Sequence, residues 1–344
     1  MAGLASGTAQ RTLPWSWYSD PELLRREQER IFRRGWQYAG PAEHVAQPGD
    51  FFTCNVGDVP VVVTQDAGGE LHALLNVCRH RGSIVAQGSG NRASLQCPYH
   101  AWTYELDGRL RAAPRSAEID VEEIALRSLS VETWGPFVFV NPDPAPGPLD
   151  EVLGPVPQLV RDGGIDVERL RFRRRSDFEL DCNWKIAVEN YLECYHCAVA
   201  HPGFSAVVDV SLDAYRLETF ALGSSQFGPT KNGDGPVEGQ FHWLWPVTKL
   251  YAMPGPPNVA IGPIAPLGTE RTGGFLDYFF PDDVGDETVD ELLAWDDQVG
   301  LEDRALVASV QAGVRSGLLD EGRLLPQSER LLAHFQSLVR EALA

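Results

Sequence analysis

The stretch CRHRGSIVAQGSGNRASLQCPYHAWTY, residues 78–104, carries two short pairs of metal-binding side chains. Cys78 and His80 form the first pair, and Cys97 and His100 form the second after sixteen intervening residues. Two thiolates and two imidazoles can hold either a tetrahedral Zn²⁺ ion or a [2Fe–2S] cluster. A zinc finger usually pairs cysteine with cysteine and histidine with histidine. Because each loop here offers one ligand of each kind, the spacing favours the cluster.

The sequence around these loops predicts a small β domain. Short runs rich in Val, Phe, Leu and Thr alternate with Gly, Pro and Asp from about residue 50 to residue 142, as is typical of antiparallel sheets. A Pro-rich connection at 141–148 ends this region. We therefore expect a β domain at 46–148 and an α+β domain at 149–344, with an N-terminal helical segment at 1–45 that packs on the α+β domain.

Composition and charge exclude several classes of protein. Of 344 residues, 43% are hydrophobic and 22% are charged, which is the composition of a folded globular protein. The formal charge of −19 would repel a polyphosphate, so we expect no nucleic-acid partner. No apolar stretch approaches the roughly 20 residues that span a bilayer, and the N terminus lacks the pattern of a signal peptide. We therefore expect no membrane association, a cytoplasmic location and reduced cysteines.

A second group of candidate ligands lies in the segment ENYLECYHCAVAHP, residues 189–202. On a continuous helix, Glu189, Glu193 and His196 share one face. His201 lies about 140° further round, so it meets His196 only if the helix ends between them, as the following proline allows. Two imidazoles with a nearby carboxylate suit Fe(II) with open positions for O₂. The alternative interpretation is a polar helix with two unrelated histidines.

The carboxylate ligand is expected from the acidic C-terminal part of the chain. Asp303 shares a predicted helical face with apolar residues, where an ionised carboxylate is costly unless a cation compensates it. Its apolar neighbours on that face are Leu306, Val307, Val310 and Val314. Asp296 is the alternative ligand. The CxxC formed by Cys194 and Cys197 lacks the βαβ context of a thioredoxin site, so we expect packed thiols there.

The loops CRHRG (78–82) and CPYHAWTY (97–104), together with the ENYLECYHCAVAHP segment, resemble the α-subunits of Rieske non-haem iron oxygenases. The resemblance covers nearly the whole chain, including the N-terminal DPELLRREQERIFRRGW, and departs at Ala101, where a glycine is often found. It implies an α+β protein with a small antiparallel Rieske [2Fe–2S] domain. The catalytic domain would contain a mononuclear iron and an antiparallel sheet flanked by helices, of the helix-grip type.

The resemblance also implies roles for individual residues. The ligands of the [2Fe–2S] cluster would be Cys78, His80, Cys97 and His100. The ligands of the mononuclear Fe(II) would be His196, His201 and Asp303. Glu193 would bridge to a cluster histidine of a neighbouring subunit, which implies a homotrimer. Asn190 is a second catalytic candidate.

Two iron centres of this kind imply an oxygenase. Histidine ligation raises the potential of the cluster, which therefore suits an electron relay to the Fe(II), where O₂ and substrate react. The sequence has no flavin or nicotinamide fingerprint, so we expect a separate NAD(P)H-dependent flavin/iron–sulfur reductase, with or without a ferredoxin. The alternative from another class is a Rieske electron-transfer protein without oxygenase activity, and the second group of ligands argues against it.

Two features of the sequence bear on the substrate class. Phe241, Trp243 and Trp245 alternate with period two and so share one face of a predicted strand. They form either plain sheet core or a box of aromatic faces suited to a quaternary ammonium ion. The resemblance is strongest to the branch that oxidises betaine-type and other N-methylated compounds, in which hydroxylation of an N-methyl carbon releases formaldehyde. Hydroxylation or dihydroxylation of an aromatic compound is the alternative.

Overall fold

The computed structural model describes residues 10–115, 120–231 and 237–344. The first nine residues of the predicted N-terminal segment lie outside the described residues. The chain forms two compact units. The smaller unit comprises Phe32–Leu149, and the larger unit combines the chain up to Ile31 with Asp150–Ala344.

Strands make up most of the regular structure. In chain order they are β1 (Gln10–Arg11), β2 (Gln37–Pro41), β3 (Asp50–Val56), β4 (Val59–Gln65), β5 (Leu71–Leu75), β6 (Ser89–Asn91), β7 (Leu95–Gln96), β8 (Thr103–Tyr104), β9 (Leu110–Ala112), β10 (Ser128–Trp134), β11 (Phe137–Asn141), β12 (Leu170–Leu180), β13 (Arg216–Phe220), β14 (Gly223–Gly228), β15 (Gly239–Leu244), β16 (Thr248–Ala252), β17 (Val259–Gly268), β18 (Arg271–Pro281) and β19 (Arg323–Leu324).

The α-helices are α1 (Pro21–Glu27), α2 (Leu149–Leu153), α3 (Val156–Asp162), α4 (Trp184–Tyr191), α5 (Cys197–Ala200), α6 (Pro202–Val207), α7 (Asp286–Val314) and α8 (Arg330–Leu343). Short 3₁₀ helices occur at Trp15–Tyr18, Ala42–Val45, Val121–Glu123 and Val167–Arg169, and a π-helical turn continues α1 at Gln28–Phe32. Among the described residues, no helix is both long and apolar enough to cross a membrane.

The smaller unit contains an antiparallel seven-stranded sheet in the order β2-β11-β10-β5-β4-β3-β6 and a three-stranded sheet of β7, β8 and β9. The side chains of β4 alternate between two cores. Val62 packs with Trp102 and Tyr104 beneath the Cys/His loops. Val61 and Val63 pack on the opposite face. The strand is therefore buried on both faces, and one face supports the loops that carry the candidate ligands.

Strand β2 pairs with β11 and so belongs to the sheet of the smaller unit. The sequence predicts an N-terminal segment at 1–45 that would include β2. The compact units instead divide at Ile31 and at Leu149, so residues 32–45 group with the β domain.

The larger unit is built on a second antiparallel seven-stranded sheet, in the order β12-β18-β17-β16-β15-β14-β13. Helices α4 and α8 meet where Trp184 packs edge-to-face on Phe335, with ring centroids 5.6 Å apart. Helix α7 packs through Val289 and Leu293 against tyrosines of the sheet. Antiparallel sheets flanked by helices confirm the predicted fold class.

The N-terminal helix is anchored by a buried ion pair within the larger unit. Asp20 caps α1 by accepting from the backbone N–H of Glu22 at 2.9 Å. Helix α1 ends at Glu27. The Glu27 carboxylate accepts from Lys185 Nζ at 2.7 Å and from the Trp184 indole N–H at 2.8 Å. Because removing one partner of a buried ion pair leaves an uncompensated charge, this contact fixes α1 against the start of α4.

Candidate functional site

The two Cys/His loops of the smaller unit converge. The rings of His80 and His100 have centroids 4.5 Å apart, and the His80 ring stacks on Trp102 at 5.0 Å. Cys78 and Cys97 are buried, whereas both histidines are exposed. All four residues predicted as cluster ligands therefore lie together.

Neighbouring groups favour the thiolate form of Cys97. Burial raises the pKa of the Cys97 thiol, but the backbone N–H of Tyr99 and the side chain of Cys78 outweigh this, and the pKa is lowered. The Tyr104 hydroxyl lies 3.2 Å from Cys78 Sγ. Thiolates are the form that binds metals, so the pocket is suited to a cationic group.

The donor set bears on which group fits. Each loop supplies one buried cysteine and one exposed histidine. Two inner sulfur ligands and two outer imidazoles fit a two-iron cluster with cysteine on one iron and histidine on the other.

Both loops close with the same turn. Gly82 donates its N–H to the carbonyl of Cys78 at 3.0 Å, and Ala101 donates to the carbonyl of Cys97 at 3.1 Å. Gly82 has φ +76° and Ala101 has φ +59°, both in the left-handed region. Ala101 thus adopts the conformation that explains why a glycine is common there, at a cost of about 1 kcal/mol.

In the larger unit, His196, His201 and Asp303 bring three donor atoms together. The two Nε2 atoms are 3.1 Å apart, and Asp303 Oδ1 lies 3.5 Å from His196 Nε2 and 3.2 Å from His201 Nε2. Ligands about 2.1 Å from one metal ion stand about 3.0–3.4 Å apart. The set therefore fits a two-histidine, one-carboxylate iron site.

The local backbone differs from the predicted helix. Helix α4 ends at Tyr191, so Glu193 and His196 do not continue its face. Glu189 turns away from the site and accepts from the Tyr18 hydroxyl at 2.7 Å. His196 precedes the short α5, and His201 lies between α5 and α6. The predicted convergence of the two histidines is present, but the expected common face with Glu189 is wrong.

Each donor of this group is held by a second polar residue. The Glu193 carboxylate contacts His196 Nδ1 and accepts from the backbone N–H of His196 at 3.1 Å. Glu302 Oε2 lies 2.8 Å from His201 Nδ1. Asn190 Nδ2 donates to Asp303 Oδ1 at 3.0 Å. Because a carboxylate accepts from the Nδ1–H of each histidine, the Nε2 lone pair of each ring points into the space between the three donor atoms.

Electrostatics at this point favour a bound cation. Burial lowers the pKa of His196, but Asp303 and Glu193 raise it to about 9. Burial raises the pKa of Asp303, but hydrogen bonds from His196, His201 and Asn190 hold it below its usual range. Both shifts favour positive charge next to an ionised carboxylate, as a bound cation would supply.

Asp296, the alternative third ligand, lines the same cavity but does not belong to the group of three donor atoms. Its Oδ2 accepts from the Tyr251 hydroxyl at 2.5 Å and from the Tyr278 hydroxyl at 2.6 Å. Burial raises the pKa of Asp296, the opposite of the direction at Asp303. The sequence reasoning missed Glu302, although its position directly before Asp303 was a usable signal.

The apolar face predicted around Asp303 is only partly buried. Val307 and Val314 are buried, but Leu306 is 39% exposed and Val310 is 49% exposed. The buried face of α7 instead includes Gln311, whose side chain accepts from the Asn183 N–H at 2.8 Å.

A cavity of about 200 Å³ adjoins the His196, His201 and Asp303 side chains. Aromatic rings dominate its wall: Phe178, Tyr191, Phe204, Tyr215, Phe241, Tyr251, Tyr278 and Trp295. Lys249 also lines it. A cavity with this wall suits a small ligand that has methyl groups, a positive charge or an aromatic ring.

The predicted aromatic box is wrong for two of its three members. Phe241 lines the cavity, but Trp243 and Trp245 do not. Trp243 is buried, with its ring 5.3 Å from Phe335 and 5.9 Å from Trp245. The period-two pattern placed Phe241 and Trp243 correctly on β15, but Trp245 follows the end of that strand at Leu244. Helix α8 covers the part of the sheet where Trp243 lies.

The prediction of packed thiols in the CxxC is also wrong. Cys194 and Cys197 form a disulfide, where reduced packed thiols were expected. Both line the cavity on either side of His196 in sequence. Cys78, Cys97 and Cys182 form no disulfide with any residue that the structure describes.

Comparison with protein families gives two matches. Residues 167–344 match the family described as ring hydroxylating alpha subunit (catalytic domain). Residues 35–130 match the Rieske [2Fe–2S] domain.

Curated relatives match almost the whole chain. The chloroplastic choline monooxygenase of Beta vulgaris is 33% identical, with 96% of this chain and 77% of that protein covered. The carnitine monooxygenase oxygenase subunit of Escherichia coli (strain K12) is 31% identical, with 96% of this chain and 93% of that protein covered.

Solved structures show the same architecture. The quaternary ammonium Rieske monooxygenase CntA in complex with L-carnitine has a TM-score of 0.87 and 31% identity, covering 98% of this chain and 96% of that chain. Naphthalene 1,2-dioxygenase from Rhodococcus sp. has a TM-score of 0.81 at 19% identity, covering 97% of this chain and 94% of that chain, and it shows likeness of fold alone.

The assignment of the third donor is tested by a matched pair of substitutions. Asp303→Asn should weaken Fe²⁺ binding by more than about 100-fold, because the one ionised donor of the group is lost. Asp296→Asn makes the same chemical change seven residues earlier on α7 and should leave Fe²⁺ affinity near that of the unmodified chain. Anaerobic titration with Fe²⁺ measures both. Equal losses in the two variants, or full binding by Asp303→Asn, would contradict the assignment.

Proposed function

Because the chain belongs to the Rieske non-haem iron oxygenases, as an α-subunit with a Rieske [2Fe–2S] domain and a ring-hydroxylating type catalytic domain, we propose that it hydroxylates an N-methyl carbon of a betaine-like compound. The protein is an oxidoreductase that contains a [2Fe–2S] cluster and a mononuclear iron. The observation that carries the proposal is the aromatic-walled cavity that adjoins the His196, His201 and Asp303 group. Relatives named for carnitine and choline oxidation support the substrate class.

The proposed ligands follow from the two groups of converging side chains. The cluster ligands are Cys78, His80, Cys97 and His100. The iron ligands are His196, His201 and Asp303. The close approach of the donor atoms supports this assignment in the larger unit. We also propose domain limits at residues 31/32 and 149/150, in place of those expected from sequence, because the compact units divide there.

The chain's own residues have distinct tasks in this reaction. When bound, the iron activates O₂ with electrons supplied through the cluster. Glu193 and Glu302 hold the Nδ1 protons of the two histidines and so keep Nε2 of each ring available as a ligand. Asn190 orients Asp303 through its amide N–H. The aromatic wall excludes water and faces the methyl groups of the substrate.

The net reaction balances without further reagents. One N-methyl group, O₂, two electrons and two protons give an N-hydroxymethyl group and water. The N-hydroxymethyl compound then breaks its C–N bond, leaving formaldehyde, a proton and the demethylated amine. The electrons come from NAD(P)H through a separate flavin/iron–sulfur reductase, with or without a ferredoxin. We propose a cytoplasmic location because NAD(P)H is supplied there.

Glu193 has a second proposed task, which is to connect the iron site with the cluster of a neighbouring subunit in a homotrimer. Its carboxylate already contacts His196, and a carboxylate oxygen can accept a further hydrogen bond. His80 and His100 are exposed on their own unit and so are accessible to a neighbouring chain. The structure of a quaternary ammonium Rieske monooxygenase that is 30% identical to this chain gives insight into inter-subunit electron transfer in that enzyme, which supports the same arrangement here.

The proposed activity predicts formaldehyde release. With NADH and a surrogate reductase, glycine betaine, proline betaine or carnitine should give O₂ uptake and formaldehyde in equal amounts. Benzoate and phenols should give neither. The control is His196→Ala, which should retain the visible spectrum of the cluster but take up no O₂ with substrate. Product formation confined to the aromatic compounds would refute the N-demethylation proposal.

The bridging task predicts different results for the two carboxylates that hold the histidines. Glu193→Ala and Glu302→Ala each remove one Nδ1 partner, but only Glu193 is proposed to lie on the path to a cluster. In single turnovers with reduced, iron-loaded protein, Glu193→Ala should keep its cluster reduced at least about 100-fold longer than Glu302→Ala. Stopped-flow absorbance of the cluster measures this. Equal rates of cluster oxidation in the two variants would show that Glu193 is not a bridge.

A further inference from the structure

Lys249 on strand β16 places an ammonium group inside the aromatic wall of the cavity. Its Nζ lies 5.0 Å from the ring centroid of Phe178, 5.8 Å from that of Tyr191 and 5.7 Å from that of Tyr251. We call these four residues the lysine end of the cavity. Three aromatic faces around one ammonium attract its charge, but they accept no strong hydrogen bond.

The other lysines of the chain have polar partners. Lys185 donates to Glu27, and Lys231 donates to the carbonyl of Ser205. Lys249, by contrast, makes neither a hydrogen bond nor an ion pair with any residue that the structure describes. An ammonium group has three N–H donors, so the lysine end presents unused donors to whatever enters the cavity.

The nearby acids do not satisfy these donors. Asp296 and Asp303 both raise the pKa of Lys249, although burial outweighs them and lowers it. Asp296 is held by two tyrosine hydroxyls on one oxygen, and Asp303 is engaged by Asn190. No carboxylate that the structure describes forms an ion pair with Lys249, so its N–H donors are available to an acceptor on the ligand.

The cavity has a second aromatic group close to the iron ligands. Phe204, three residues after His201, stacks on Trp295 with centroids 5.6 Å apart and lies 5.8 Å from Phe241. We call Phe204, Trp295 and Phe241 the methyl end. A methylated ammonium at the lysine end would be repelled by Lys249, so like-charge repulsion directs it to the methyl end.

From these contacts we infer that Lys249 binds a carboxylate of the substrate, so that the enzyme selects zwitterionic N-methyl compounds over cations without a carboxylate. The inference rests on the proposed function for the methylated nitrogen and adds the anionic group at the lysine end. One ammonium-to-carboxylate contact in a partly desolvated cavity attracts a zwitterion and disfavours a simple cation.

Glycine betaine and choline provide the direct test, because they share a trimethylammonium group and differ in carrying a carboxylate or a hydroxymethyl group. Lys249→Met keeps the length of the side chain and removes its charge. It should raise the KM for glycine betaine about 10- to 100-fold with a smaller change in kcat, and it should lower the KM for choline. Lys249→Arg should restore the KM for glycine betaine to within a few-fold. The matched control is Lys231→Met, which should change neither constant.

Equal changes in KM for the two substrates in Lys249→Met would overturn the inference, because a general loss of packing would have that effect. The same holds if Lys249→Arg behaves like Lys249→Met. If Lys249→Met does not fold, Lys249→Gln provides the uncharged variant. Circular dichroism and iron content verify that each variant is folded and loaded with iron. Calorimetric titration of the iron-loaded protein measures the affinities for glycine betaine and for choline without turnover.

The inference and the proposed function can fail separately. If no N-methyl compound is oxidised, the proposed function fails, and the lysine end is then tested with benzoate and benzyl alcohol. Weaker binding of benzoate alone in Lys249→Met would support carboxylate binding by Lys249. Unchanged binding of benzoate would overturn it.

Discussion

Three donor atoms that face one point need a positive charge between them, and the larger unit is organised around that requirement. The Nε2 atoms of His196 and His201 and Oδ1 of Asp303 lie within 3.5 Å of one another. Without a proton or a metal ion, the lone pairs and the ionised carboxylate would repel one another. The backbone supplies this convergence in two ways. Helix α4 stops at Tyr191, so that short helices can turn both histidines inward, and the 29-residue α7 brings in the carboxylate.

The same residue type has opposite tasks on α7. Asp296 and Asp303 are seven residues apart and so face the same side of the helix. Two tyrosine hydroxyls hold Asp296, and burial raises its pKa. Hydrogen bonds from two histidines and an asparagine hold the pKa of Asp303 low. One acid supports the wall of the cavity, and the other is poised to bind a cation.

Much of the site could be predicted from the sequence because its ligands are local pairs with short spacing. Cys78 with His80, Cys97 with His100, and His196 with His201 are each within five residues. The end of α4 was missed, since the Glu193 side chain caps the backbone N–H groups of the next turn, and helix propensity does not record that competition. Trp243 was misplaced because alternation along a strand gives its face but not the helix that covers it. Lys249 was missed because its importance depends on rings brought together from three strands or helices.

The proposed assignment places one iron among His196, His201 and Asp303 and a two-iron cluster among the Cys/His loops. Crystals of the purified protein, with diffraction recorded on either side of the iron absorption edge, test this most directly. One anomalous iron peak is expected within about 2.3 Å of each of the three donor atoms, and a stronger peak is expected between the four loop ligands. A zinc signal at the loops, or no iron peak at the three donors of iron-loaded crystals, would contradict it.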